Sequence, residues 1–159
     1  MNSELEMLAA AVGAKLKADG AILATAESCT GGGIAEAVTR IAGSSAWFDR
    51  AFIAYSYPAK SDMLGVQTAT LDRVGAVSDA VAREMAEGAL ARSLATISIA
   101  VTGIAGPDGG TIDKPVGTVW FAWSQKNKPT ISEVCVFFGD RAAVRRQTII
   151  HALTKLLHN

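Results

Sequence analysis

The segment GSSAWFDRAFIAYSYPAK, residues 43–60, contains the adjacent serines Ser44 and Ser45 together with Tyr55 and Lys60. A lysine whose pKa is lowered by burial or by neighbouring cations can act as general base for a serine hydroxyl. A tyrosine hydroxyl can relay the proton. A Ser–Lys–Tyr amidase site with Ser44 or Ser45, Tyr55 and Lys60 is therefore chemically possible, although a helix cap, a strand aromatic and a solvated lysine explain the same residues more simply.

A second group of reactive side chains lies in TAESCTGGG, residues 25–33. Glycines at a strand-to-helix turn let backbone N–H groups approach an anion, and a helix N-terminus adds its positive dipole end. We expect a cradle for a phosphate or an oxyanion here, with close backbone approach at Gly31 and Gly32 and with the polar side chains of Glu27 and Ser28 beside it. The simpler alternative is a tight turn whose hydroxyls only cap the helix.

Two further stretches predict contacts to a ligand. The loop VTGIAGPDGGTIDKPVGTV, which contains Thr102, Gly103 and Gly106, follows a predicted buried strand, and long loops of this kind usually bind ligands. In GDRAAVRRQ, Arg141 and Arg145 are four residues apart and share one helix face, where they suit a phosphate. A structural loop and a solvated basic face are the alternatives.

The distribution of histidine and cysteine argues against metal chemistry. Both histidines, His151 and His158, lie on the terminal helix, and no cysteine or histidine falls at metal-ligand spacing. We therefore expect no metal, and lysine is the more available base. Cys29 stays open as a nucleophile because a helix N-terminus lowers a thiol pKa, although a small buried cysteine is often plain packing.

Hydrophobic patterning predicts the elements that position these residues. Helices and strands interleave in the first two thirds of the chain, and the last two strands are joined by the short connection QKNKP. This order predicts an α/β fold, a three-layer α/β/α sandwich with a mixed, mostly parallel sheet of about five strands. The predicted strands span residues 21–26, 51–56, 95–103, 118–124 and 130–138. Ser78 and Asp140 are predicted to cap the helices that follow them.

Composition limits the class of protein. A chain of 159 residues with 50% hydrophobic residues predicts a single domain over residues 1–159. Equal numbers of basic and acidic residues, 15 each, argue against a nucleic-acid partner. No apolar run approaches the roughly 18 residues of a membrane span. We therefore expect a cytoplasmic protein with a small-molecule partner and no membrane contact. Self-association into a homo-oligomer is a separate expectation that does not follow from composition.

The motifs TAESCTGGG, YSYPAK, GAVS, VTGIAGPDGG with KPVGTV, and GDRAAVRRQ follow one another along nearly the whole chain. In kind and order they resemble the C-terminal domain of the competence/damage-inducible CinA proteins, a domain that also occurs alone as nicotinamide-nucleotide amidase. The resemblance implies hydrolysis of nicotinamide mononucleotide to nicotinic acid mononucleotide and ammonia, in pyridine-nucleotide salvage. It also implies an enzyme without a metal or another cofactor.

The resemblance further implies functional positions, matched motif by motif: Ser28, Ser45, Tyr55, Lys60, Thr102 and Arg141. Lys60 would activate a serine hydroxyl or a water, and Tyr55 would hold or pass the proton to departing ammonia. Ser45 and Ser28 compete as nucleophile, and Ser45 is preferred because it shares a segment with the other two groups. One departure is Tyr57, where the family usually has asparagine.

Two other functions stay open. A non-catalytic nucleotide sensor would use the glycine loops and arginines only to bind phosphate, and an exposed, unpartnered Lys60 would favour it. A Cys29-dependent amidase acting on free nicotinamide would leave the arginines without a phosphate to hold.

Overall fold

The computed structural model describes residues 3–158 and places a five-stranded sheet between two layers of helices. The strand order is β2-β1-β3-β4-β5; β1 pairs in parallel with β2 and β3, whereas β4 runs antiparallel to β3 and β5. The predicted α/β/α sandwich with a mixed sheet is confirmed. The elements are α1 (Ser3–Ala18), β1 (Leu23–Glu27), α2 (Gly33–Thr39), β2 (Phe48–Ile53), α3 (Tyr57–Leu64), α4 (Thr68–Val74), α5 (Asp79–Ala91), β3 (Ile97–Gly103), β4 (Thr118–Gln125), β5 (Ile131–Val136) and α6 (Arg141–Leu157).

The two faces of the sheet pack differently. Because side chains alternate along a strand, Ile97, Ile99 and Val101 of β3 face α1, α2 and α6, where they join a core of large residues. On the other face, Ala100 of β3 and Ala122 of β4 lie against α5. Small residues on this second face let the helix approach the sheet closely.

Close packing of α5 also fixes α3. A Cβ atom added at Gly88 of α5 would lie 1.9 Å from the backbone oxygen of Leu64, the last residue of α3. No other residue fits there without moving one of the helices. Since α3 carries Lys60, this contact helps to fix the position of the lysine.

Helix ends follow the sequence signals. Ser78 caps α5 by accepting a hydrogen bond from the Val81 amide, and Asp140 caps α6 by accepting one from the Ala143 amide. Both caps were predicted. They stabilise the first turns of two helices whose positions matter for the site.

One predicted strand begins and ends too late. The second strand was predicted at residues 51–56, whereas β2 spans Phe48–Ile53. Residues 54–56 leave the sheet because Ser56 caps α3 through the Ala59 amide, with Pro58 in the first helical turn. The sequence also did not separate α4 from its neighbours. Within residues 3–158, no helix is both long and apolar enough to cross a membrane.

Candidate active site

The candidate site lies at the carboxyl ends of β1 and β3. The chain leaves β1 through α2 on one face of the sheet, and it reaches β3 through α3, α4 and α5 on the other face. The crevice at such a switch point is the usual ligand site of an open α/β sheet. Three of the predicted stretches meet there: residues 25–33, 55–60 and 102–110.

Lys60 is the central buried group. Its side chain is 1% exposed, and its Nζ lies 3.0 Å from Ser28 Oγ, 3.0 Å from the Ala54 carbonyl oxygen and 2.9 Å from that of Tyr55. Burial lowers the pKa of this lysine below its usual value. The structure therefore brings a buried amine within hydrogen-bond distance of a serine hydroxyl.

The surroundings of Lys60 accommodate both forms of its amine, since an ammonium at Nζ can donate to all three oxygens. Two of the three partners of Nζ are carbonyl oxygens, which can only accept hydrogen bonds. A neutral amine has two N–H bonds for these two oxygens and one lone pair, which is left facing the Ser28 hydroxyl. Ser28 can then donate its proton to Nζ, which is the direction of transfer that a nucleophile needs.

The backbone of Ser28 is held on both sides. Its amide donates to the Val101 carbonyl of β3 at 3.1 Å, and its carbonyl accepts from the Gly31 amide at 3.1 Å. The side chain is 7% exposed. Ser28 therefore has little freedom to move away from Lys60.

Glu27 stabilises the turn after β1 from inside the protein. Its fully buried carboxylate accepts hydrogen bonds from the hydroxyls of Thr25 and Thr30 and from the amides of Ile34 and Ala35, at 2.6–3.0 Å. These two amides belong to the first turn of α2. The sequence predicted an external anion at this helix N-terminus, but the protein's own carboxylate occupies two of its N–H groups. Direct contact between Glu27 and a substrate stays a prediction.

Cys29 does not have the properties of a nucleophile. It is 5% exposed and packs in the hydrophobic core beneath the turn. Burial raises the pKa of its thiol to about 12. Since the thiolate is the reactive form, the environment of Cys29 opposes the cysteine mechanism.

The two arginines of α6 that were predicted to bind a ligand, Arg141 and Arg145, have different partners. Arg145 donates from Nε to the Cys29 carbonyl and from Nη2 to the Thr30 carbonyl, each at 3.1 Å. It therefore holds the turn that carries Ser28. Arg141 is exposed and donates to the Gly106 carbonyl at 2.8 Å and to the Tyr55 hydroxyl at 3.3 Å. Its remaining N–H groups are available for a phosphate.

Tyr55 lies at the rim and not beside the lysine amine. Its side chain is 62% exposed, and its hydroxyl accepts the bond from Arg141. Only the backbone carbonyl of Tyr55 contacts Lys60. The structure therefore brings Tyr55 to the site, with its hydroxyl on the arginine side of the opening.

The third side of the site is formed by the loop after β3. Thr102 is 1% exposed, and its hydroxyl donates to the Ala76 carbonyl at 3.0 Å. A Cβ atom on Gly103 would lie 2.7 Å from Val119 Cγ2. Gly106 is buried with φ +86°, and its carbonyl holds Arg141. These residues shape the loop, and contact of Thr102, Gly103 and Gly106 with a substrate stays a prediction.

Gly31 and Gly32 lie at the opening of the turn. Gly31 is exposed, and both residues have positive φ, +58° and +99°. A Cβ on Gly32 would meet Ile53 Cδ1 at 2.9 Å. The glycines keep the backbone open on the solvent side, where a ligand can approach it.

Ser45 is not brought to this group, so the structure corrects the preference for it as nucleophile. It is exposed in a short 3-10 turn (Ser44–Ala46) that precedes β2, whereas Lys60 lies beyond the end of that strand. The six residues of β2, at about 3.3 Å each, separate the two ends by roughly 20 Å. Ser45 and Lys60 lie in the same stretch of sequence. Because β2 is extended between them, they lie at opposite ends of this strand.

Two positioning contacts were missed from the sequence. Tyr57 accepts a hydrogen bond at its hydroxyl from the Ala76 amide at 3.1 Å, and Lys114 donates to the Val74 carbonyl at 2.8 Å. Both tie elements around the opening to the C-terminal end of α4 and the residues just after it. The signal for Tyr57 was its departure from the family pattern; Lys114 gave none, because its partner lies 40 residues away.

Comparison with known proteins gives consistent results. The family described as the CinA C-terminal domain matches residues 5–159. The nicotinamide-nucleotide amidohydrolase PncC of Escherichia coli K12 is 53% identical over 155 residues, which is 98% of this chain and 94% of that protein. The protein of the same name from Pseudomonas putida is 53% identical over 150 residues, covering 94% of this chain and 93% of the relative.

Solved structures agree with these sequence matches. The competence/damage inducible protein CihA from Agrobacterium tumefaciens has a TM-score of 0.96 and 45% identity, over 100% of this chain and 98% of that one. A competence-damaged protein (CinA) superfamily protein from Escherichia coli has a TM-score of 0.93 and 40% identity, over 99% and 92% of the two chains. Because its sequence matches over nearly its whole length and its fold agrees as closely, the chain belongs to the CinA C-terminal domain family.

Proposed function

We propose that this protein is a nicotinamide-nucleotide amidohydrolase, which hydrolyses the carboxamide of nicotinamide mononucleotide to the carboxylate and ammonia in pyridine-nucleotide salvage. The substrate follows from the relatives at 53% identity. The observation that supports the chemistry is the buried Lys60 amine, 3.0 Å from Ser28 Oγ and hydrogen-bonded to two carbonyls.

In the first half-reaction, neutral Lys60 accepts the Ser28 proton as Oγ attacks the carboxamide carbon. A C–O bond forms, and the carbonyl oxygen becomes an oxyanion. When this intermediate collapses, the C–N bond breaks and protonated Lys60 gives its proton to the leaving nitrogen, so ammonia departs. The product of this step is a nicotinate ester of Ser28.

In the second half-reaction, water replaces the serine. Lys60 is neutral again and takes a proton from a water molecule that attacks the ester carbon. Collapse of the second intermediate breaks the bond to Ser28 Oγ, which recovers its proton from Lys60. Nicotinic acid mononucleotide leaves, and both side chains return to their starting states.

We assign the substrate phosphate to Arg141. Its guanidinium is exposed at the opening and is held in place by the Gly106 carbonyl and the Tyr55 hydroxyl. Arg145 is less suited because two backbone carbonyls already occupy it. In this arrangement Tyr55 lies between the phosphate side and the amide side, where its ring can cover the cationic pyridinium.

The alternatives receive less support. A sensor has no need of a buried lysine, and Lys60 is 1% exposed with three hydrogen-bond partners. A Cys29 enzyme would require a thiolate, whereas burial raises the pKa of that thiol to about 12. Cytoplasmic location and self-association stay predictions, and light scattering on the purified chain would test the second.

The proposal is tested by ammonia release from nicotinamide mononucleotide, nicotinamide riboside and nicotinamide at matched concentrations. We expect turnover to be fastest with the mononucleotide, because only this compound has a phosphate for Arg141. Equal turnover of all three compounds would remove the role of the phosphate. Binding of the mononucleotide without any ammonia release would favour the sensor.

A further inference from the structure

A second cluster of reactive side chains lies outside the candidate active site, between the edge strand β5 and helix α6. Glu133 and Cys135 are two residues apart on β5, so their side chains point to the same face of the sheet. His151 on α6 faces them. One donor atom from each residue, a carboxylate oxygen, Sγ and a ring nitrogen, lies within 4.8 Å of the other two.

We propose that Glu133, Cys135 and His151 form a binding site for a thiolate-preferring divalent cation such as Zn²⁺. A carboxylate, a thiolate and an imidazole are each among the ligands of zinc, and together they balance its charge when both acids are ionised. The amide chemistry proposed at Lys60 does not involve these three residues. They also lie outside the sequence motifs that carry the family resemblance.

The geometry distinguishes a metal site from a hydrogen-bonded catalytic triad. In a triad, the histidine uses one ring nitrogen for the nucleophile and the other for the acid. Here the same atom, Nε2 of His151, faces both Cys135 Sγ and Glu133 Oε1. Three donors that converge on one point are arranged for a shared ion.

The spacing of two donors also fits zinc. Zn–S and Zn–N bonds of about 2.3 and 2.0–2.1 Å at a tetrahedral angle place the two ligand atoms about 3.6 Å apart. Cys135 Sγ and His151 Nε2 are 3.6 Å apart. Glu133 Oε1 lies nearer to Nε2 than a zinc ligand would, so its half-exposed side chain must rotate outward when an ion enters.

The surroundings hold the ligands and leave room for a fourth one. The imidazole of His151 packs against the ring of Phe121, with 4.6 Å between the ring centroids, which fixes the orientation of the ring. A cavity of about 250 Å³ opens beside it, lined by Phe137, Gln147, Ile150, His151 and Thr154. His151 lines this space whereas Glu133 and Cys135 do not, so the cavity offers room for a water ligand on the imidazole side of the site.

The two carboxylate oxygens of Glu133 face different side chains, Lys155 and His151. The Nζ of Lys155 lies 3.9 Å from Oε2, whereas Oε1 faces His151. The lysine therefore leaves one oxygen for the cation but places a competing positive charge nearby. Removal of a ligand should weaken the affinity for the cation, whereas removal of the Lys155 charge should strengthen it.

The experiment is a titration of the untagged, chelator-treated chain with Co²⁺, followed through the absorption band of the cobalt–thiolate bond. We expect one Co²⁺ per chain, displaced by Zn²⁺, and a higher melting temperature with Zn²⁺. Cys135→Ser should abolish the band, and His151→Ala and Glu133→Gln should weaken affinity by more than about tenfold. Lys155→Met should strengthen it. Cys29→Ala, which changes the other cysteine, is the matched control and should retain the band.

Two results would overturn the site. If the wild-type chain shows no cobalt–thiolate band, or if the band persists in Cys135→Ser, the three residues form a hydrogen-bonded cluster only. Far-UV circular dichroism of each variant without metal separates a lost ligand from a lost fold. The strengthening by Lys155→Met provides a further check, since a misfolded variant would not bind more tightly.

Discussion

The buried centre of the active site and its exposed rim use similar polar groups in opposite ways. At the centre, Ser28 and Lys60 are at most 7% exposed, and the partners of Lys60 are all supplied by the chain. At the rim, Tyr55 is 62% exposed and Arg141 uses only part of its donor capacity within the protein. The centre is fixed before a substrate arrives, whereas the rim keeps groups free to bind one.

This difference separates two kinds of contribution to catalysis. Groups held in place by many internal contacts can stabilise a transition state without rearrangement. Groups that contact a distant part of the substrate bind the ground state and the transition state equally. We therefore expect changes at the centre to lower kcat and changes at the rim to raise KM.

The largest effect is expected for Ser28→Ala. Loss of a nucleophile typically costs about 10⁴-fold or more in kcat, because the covalent route disappears. Steady-state ammonia release measures it. The matched control is Ser45→Ala, which removes an exposed hydroxyl near the amino end of β2, far from Lys60. This variant should keep activity near the wild-type value. If Ser45→Ala is inactive and Ser28→Ala is active, Ser45 and not Ser28 is the nucleophile. If neither variant loses much activity, a water molecule activated by Lys60 takes the place of the serine.

The second effect concerns the base. Lys60→Met keeps an unbranched apolar stem but removes the amine, and it should lower kcat by about 10²–10⁴-fold, the usual contribution of a general base. Lys114→Met removes another lysine near the opening, one that donates only to the Val74 carbonyl, and should cost less. Near-normal turnover in Lys60→Met would remove the lysine mechanism.

The third effect tests the rim. A charge-assisted contact to phosphate is worth about 1.5–3 kcal/mol, so Arg141→Ala should reduce kcat/KM by about one to two orders of magnitude, mainly through KM. Any activity on the riboside should stay nearly unchanged. Arg146→Ala is the matched control, because Arg146 pairs with Glu4 at 3.6 Å and not with the site.

An equal loss on both substrates in Arg141→Ala would place this arginine at the reacting amide or in the fold, and the contrast between centre and rim would fail. No loss on either substrate would place the phosphate elsewhere, with Arg145 the next residue to change.

The smallest effect is a gradual one with pH. Because burial lowers the pKa of Lys60, the neutral base should be present below the usual lysine range, and kcat/KM should rise through this lowered pKa as pH increases. The unfolded chain binds the proton more tightly, so the free energy of unfolding should also rise between the lowered and the ordinary pKa. Both trends should be absent from Lys60→Met, as denaturant titrations and residual-rate profiles at several pH values can establish. Parallel trends in the variant would assign them to another group.

Much of the architecture was predictable because it depends on local pattern. Alternating apolar residues and turn residues predicted the five strands and the layer order, and caps at Ser78 and Asp140 predicted two helix starts. The predicted bounds of the second strand were wrong because β2 lies at the edge of the sheet, where its half-buried residues give a weak hydrophobic signal. Residues 54–56 looked equally extended.

The sequence by itself determined which side chains were candidates for the site, since Ser28, Lys60 and Arg141 all lie in stretches with unusual chemistry. Only the tertiary structure decided how they combine. Ser28 and Lys60 are 32 residues apart and meet because parallel pairing of β1 and β2 brings their carboxyl ends to one edge. Ser45 precedes β2 and therefore lies at the opposite, amino ends of these strands. Likewise, Glu27 became an internal cap and His151 a neighbour of Cys135 through packing of helices on the sheet, which no spacing along the chain records.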